Sequence, residues 1–97
     1  MYALAIVRYR KPMEEILKHL DQHRAYLSGL KDAGVLLASG PFDPRNGGGL
    51  LLRVADDDVE AALNRVRDED PFTLAGMAQY ELLPWLPVFG KDGLDTL

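Results

Sequence analysis

The sequence predicts a single α+β domain in which four strands and two helices alternate as β-α-β-β-α-β. Three observations carry that prediction. The 97 residues suffice for one hydrophobic core and no more. The composition, 47% hydrophobic and 27% charged, is that of a globular chain. The apolar pattern also switches repeatedly between a strand period and a helix period.

The elements follow in order. Tyr2 to Tyr9 is mostly apolar or aromatic, with β-branched Ile6 and Val7, and reads as a strand stopped by Lys11-Pro12. Pro12 suits the first turn of a helix, where a missing N–H costs nothing. From there Met13, Ile16, Leu17, Leu20, Leu27 and Leu30 recur with helical spacing, and Gly34 is the expected C-terminal stop. A second strand spans Val35 to Ser39 and closes at Gly40-Pro41. The turn-rich stretch Phe42 to Gly48 leads to a third strand, Gly49 to Val54, so Gly47-Gly48-Gly49 is expected to form a hairpin turn. Asp57 and Glu60 have capping-box spacing ahead of a second amphipathic helix carrying Val59, Ala62, Leu63 and Val66. After Asp70-Pro71-Phe72, a last strand from Met77 to Leu83 is expected to end at Pro84-Trp85. The tail, residues 88–97, has no periodicity and is expected to be loose or to contact a partner subunit.

This order is the split pattern of ferredoxin-like folds, with both helices on one face of a four-stranded antiparallel sheet. The helix-free face should be polar in a monomer. Yet Tyr2, Leu4 and Ile6 alternate with Ala3, Ala5 and Val7, and Leu50, Leu51 and Leu52 place leucine on both sides. Two apolar faces predict a homodimer, with Ala5→Glu expected to break it. A tail folded under the sheet is the monomeric alternative.

Composition also excludes functions. With no cysteine, disulfides, thiolate metal sites and a cysteine nucleophile drop out. A net charge of −4 and the lack of any dense Lys/Arg cluster argue against nucleic acid. The third strand also lacks the aromatics of an RNA-reading sheet. The apolar run at the N-terminus breaks at Arg8 and has no basic flank before it. That fits neither a signal peptide nor a membrane span and favours a cytoplasmic chain without a membrane partner.

Among residues able to do chemistry, His23 stands out. It falls in the middle of the stripe Ile16, Leu20, Leu27 and Leu30, facing the interior. Two roles fit an imidazole there: a hydrogen-bonded core residue or a proton-transfer group. Either needs a partner for its ring nitrogens. Asp70 is the candidate, placed to cap a short turn beginning at Pro71 and to meet an imidazole with its other oxygen. Ser39, beside Gly40-Pro41, would add a hydroxyl at the rim of the same cavity; as a simple turn residue it would do nothing more. His19, one turn before His23, makes no metal site, because no third ligand has recognisable spacing. The glycine triplet lacks the following Lys-Ser/Thr and the helix that a phosphate loop needs.

These residues together resemble the YciI-like, or YCII-related, family. The resemblance rests on His23 and Leu27 in the first helix, Gly34 at its end, Gly40-Pro41, Asp70-Pro71-Phe72, Gly76 and Pro84-Trp85, in that order over nearly the whole chain. It implies a ferredoxin-like fold and a dimer of the α/β-barrel type. It also implies an active site pairing the helix histidine with the aspartate of the Asp-Pro motif, here His23 and Asp70, with Ser39 where relatives often carry a small or hydroxyl residue. One branch of the family is a dehydrochlorinase of chlorinated hydroxyhydroquinone. Many relatives also carry an arginine three residues before the histidine. Leu20 stands there in this chain, so the role of that arginine does not carry over. The chain offers no strong nucleophile and no cofactor motif. The expected activity is therefore cofactor-free proton transfer, an elimination or isomerisation on a small molecule. A non-catalytic small-molecule-binding homodimer is the alternative.

Overall fold

In the computed structural model, which describes all 97 residues, the alternation of Tyr2–Tyr9 becomes strand β1. It is followed by α1 (Met13–Asp32), β2 (Leu36–Pro41), β3 (Gly47–Arg53), α2 (Val59–Glu69), a one-turn helix α3 (Pro71–Leu74), β4 (Ala78–Trp85) and a short C-terminal helix α4 (Lys91–Asp95). The strands form one antiparallel sheet in the order β2-β3-β1-β4. This is the ferredoxin-like α+β fold that the element order predicts. No helix is long and apolar enough to cross a membrane.

The register assigns the two sheet faces. Ala3 and Ala5 of β1 lie opposite Leu52 and Leu50 of β3, and Ala5 lies opposite Leu82 of β4. These residues pack with Ile16 of α1, with Leu63 and Val66 of α2 and with Phe72 of α3. Ala3 and Ala5 are completely buried, and their small side chains leave room for the leucines and Ile16 between sheet and helices. The expectation that Ala5 lies on the helix-free face is therefore corrected: Ala5→Glu would place a charge in the core. The helix-free face carries Leu4, Ile6 and Leu51, half-buried, with Leu83 and Trp85 each 39% exposed. Part of that face is covered by α4. The Tyr2 hydroxyl donates to Asp95 Oδ1 at 2.6 Å, and Arg53 donates to the carbonyls of Leu94 and Leu97 at 3.3 and 2.6 Å. The tail thus docks on its own sheet.

Four local expectations also change. Pro12 sits just before α1 in an extended conformation rather than inside its first turn. Gly34 does end α1 as expected, with φ +79°, and Val35 N–H reaches back to the Leu30 carbonyl at 2.9 Å. The α2 cap is Asp58, not Asp57: its carboxylate accepts from Ala61 N–H at 3.3 Å. The last strand runs through Pro84 and Trp85, because β4 is an edge strand and a proline without an N–H breaks no ladder there. Gly47-Gly48-Gly49 opens β3 instead of turning. A Cβ on Gly47 would overlap the Val7 carbonyl oxygen, and one on Gly48 would come within 2.7 Å of the Gly40 carbonyl oxygen. Close strand approach, not turn geometry, is what demands glycine here.

Candidate active site

The chain between α2 and α3 bends at Asp70, whose backbone is extended while Pro71 opens the next helix. This places the carboxylate over the first turn of α3, where Oδ1 accepts from Phe72 N–H at 2.9 Å. Asp70 has no solvent exposure and is the only fully buried polar or charged residue. A carboxylate in that position needs partners. His23 Nδ1 lies 2.8 Å from the same Oδ1 rather than the other oxygen as expected, because the Tyr80 hydroxyl donates to Oδ2 in a short hydrogen bond. Amide, imidazole and phenol thus converge on one buried carboxylate.

This convergence assigns the tautomer. The carboxylate accepts throughout, so Nδ1 carries a proton and the Nε2 lone pair is free in the neutral ring. Nε2 has no partner within the protein and is not fully buried, and the ring lines the cavity in front of it. The ring is held flat as well: it stacks on Phe72 with centroids 3.9 Å apart and planes 5° from parallel. Tyr9 meets Phe72 edge-on, with ring centroids 5.9 Å apart. Burial, reinforced by the Asp70 charge, pushes the Tyr80 phenol far up, so its O–H stays a donor at any ordinary pH. Tyr26 donates to the Val66 carbonyl at 2.8 Å and is pushed up to about 12, first by burial and then by the Glu69 and Asp70 charges.

In front of the imidazole lies a cavity of about 230 Å³ between α1 and the β2–β3 end of the sheet. Leu20, His23, Arg24 and Leu27 form its helical wall, and Val7, Leu50 and Phe72 part of its floor. Gly40, Gly48 and Gly49 add backbone to its lining at the β2–β3 end. The three residues singled out from sequence fall together here. His23 and Asp70 are in direct contact, and Ser39, opposite Leu50 in the β2–β3 ladder, lines the same cavity. Sequence reasoning missed Tyr80, Tyr9, Arg24 and Arg45. The alternation Ala78, Tyr80, Leu82 against exposed Gln79 and Glu81 carried a signal that Tyr80 faces inward. Nothing in the sequence signalled that it meets Asp70.

No curated protein matches the chain in sequence. Among solved structures, it is similar to 5-chloro-2-hydroxyhydroquinone dehydrochlorinase (TftG) from Burkholderia phenoliruptrix AC1100, determined in complex with 2,5-dihydroxybenzoquinone. The match has a TM-score of 0.73 and 22% identity, covering 91% of this chain and 96% of that one. At that identity the likeness is one of fold. The YCII-related domain matches residues 1–86, which contain the whole βαββαβ unit and its His23–Asp70 pair. The chain therefore belongs to the YCII-related family.

Proposed function

We propose that this protein is a cofactor-free enzyme that moves a proton on a small molecule bound in the cavity in front of His23. One observation carries the reading: His23 Nδ1 is committed to a buried carboxylate while its ring lines the cavity and Nε2 has no partner within the protein. Asp70 orients the ring and balances the charge that forms when Nε2 takes a proton. Tyr80 and the Phe72 amide hold Asp70 in place, so they are positioning groups. Ser39 supplies a hydroxyl at the cavity wall for a substrate oxygen. In an elimination, the proton passes to Nε2, the electron pair left behind forms a new π bond, and a leaving group such as chloride departs with its own pair. In an isomerisation, the same proton returns at another atom. The dehydrochlorinase activity and the quinone ligand of the structural relative agree with an elimination on a hydroxylated ring.

The working unit in this proposal is a homodimer. Leu4, Ile6, Leu51 and Leu83 form an apolar patch on the sheet face opposite the helices, and a second copy of the same face would cover it.

The test begins with a screen of chlorinated and hydroxylated phenols, lactones and small keto acids. His23→Ala should abolish turnover of the substrate found while circular dichroism and oligomeric state are unchanged. Asp70→Asn should lower kcat by roughly 10²-fold or more. A ligand that binds wild type and His23→Ala equally and is never turned over would show a binding protein instead. Loss of folding in His23→Ala would show a core histidine.

A further inference from the structure

The cavity carries a charge pattern opposite to that of the chain. The protein has 15 acidic residues against 11 Lys and Arg, a net charge of −4. Yet no aspartate or glutamate lines the cavity, and its permanently charged residues are Arg24 and Arg45. They come from different elements, α1 and the loop between β2 and β3. Asp70, the nearest carboxylate to His23, is taken up by three donors behind the ring. Arg8 and Arg67 pair with Glu81 and Asp68, and Arg53 holds the tail. Arg24 and Arg45 enter no ion pair and no hydrogen bond; Arg10 and Arg65, also free of ion pairs, do not line the cavity.

We infer that Arg24 and Arg45 select a small organic anion, an apolar ring or short chain bearing one carboxylate or phenolate, as the molecule this cavity takes. Two guanidiniums without partners, beside a cavity free of acids, raise the local concentration of anions and offer N–H donors to an anionic oxygen, in a bidentate fork where the group is a carboxylate. The remaining wall, Val7, Leu20, Leu27, Leu50 and Phe72, accepts an apolar body. The volume of about 230 Å³ lies below the range of roughly 300–1,000 Å³ that holds drug-sized ligands, which limits that body to about one ring. This inference deepens the proposed function by naming its substrate class, but it rests on residues outside the His23–Asp70 pair.

The experiment is a titration of the whole protein, followed by amide chemical shifts, with benzoate, 4-nitrophenolate and the neutral benzamide. Wild type should prefer benzoate or 4-nitrophenolate to benzamide by about tenfold or more. The favoured anion identifies which oxygen group the arginines read. The preference should shrink as salt is added and vanish in Arg24→Gln/Arg45→Gln, with benzamide affinity unchanged. His23→Ala should retain it, so a lost catalytic role and a lost anion site are told apart. Equal affinity for the anions and benzamide, an anion preference that survives the double substitution, or shifts that map away from the cavity would each overturn the inference.

Discussion

Replacing Tyr80 with phenylalanine probes the support of the candidate dyad with the least steric change. The substitution removes one oxygen and leaves the ring in place. What is lost is the hydroxyl that donates to Oδ2 of Asp70, a carboxylate with no solvent exposure. Water does not take its place without repacking, so Oδ2 is left unsatisfied. Hydrogen bonds to charged groups contribute about 1.5–3 kcal/mol, and the greater hydrophobicity of phenylalanine offsets a small part of that. The expected destabilisation is about 2 kcal/mol. In a domain of this size that lowers the melting midpoint by roughly 8–16 °C. The assay is urea unfolding followed by circular dichroism, at one fixed protomer concentration so that any self-association contributes equally. A cycle with Asp70→Asn isolates the pair, and a coupling energy of about 1 kcal/mol or more is expected. A Tyr80→Phe loss below about 0.5 kcal/mol, the level of an ordinary surface change, would refute the reasoning. So would a coupling energy of zero.

Three further outcomes follow from the same structure. Gly48→Ala brings a Cβ to 2.7 Å from the Gly40 carbonyl oxygen, so β2 and β3 must part; a loss of about 1–3 kcal/mol is expected, and an unchanged melting midpoint would count against the close-approach reading. Tyr26 is raised from 10.0 in its free state to about 12, so the folded protein keeps a proton that the unfolded chain releases. Its contribution to stability is therefore complete below pH 10.0, declines above it, and is lost as pH rises through about 12. The urea midpoint of Tyr26→Phe should fall less steeply over that window than that of wild type; parallel curves would contradict the shift. Leu4 faces Leu51 and Leu83 on the helix-free face, so Leu4→Glu should convert a dimer to the 10.8 kDa species in sedimentation equilibrium without loss of secondary structure. A wild-type protein that is monomeric at micromolar concentration would remove the basis for that expectation.

The order of elements was legible because each reports through local periodicity and punctuation. The stripe of Ile16, Leu20, Leu27 and Leu30, the stop at Gly34 and the cap at Asp70 need only neighbours a few residues away. The placement of His23 on the inner face of α1 was legible for the same reason. Its pairing with Asp70 was reachable because a buried imidazole requires a partner and Asp-Pro supplies a shaped one. Where the chain departs from expectation, the deciding contacts are distant in sequence. Alternation shows that Ala3, Ala5 and Val7 share a face but not which face the helices cover; that was settled by Ile16, Leu63, Val66 and Phe72 packing onto the alanine side. The glycine triplet is a strand because Val7 and Gly40 approach it from neighbouring strands. Pro84 remains in a strand because β4 is at an edge, a fact of sheet order. Tyr80 meets Asp70 across a register that only the assembled sheet defines, and Arg24 and Arg45 come to one cavity from two elements. The sequence by itself determined which elements form and that a histidine faces inward, since both depend on side chains within a few turns of one another. Which face is covered, and which charges and donors surround that histidine, was decided only by the tertiary structure, because those contacts join residues that the chain alone keeps far apart.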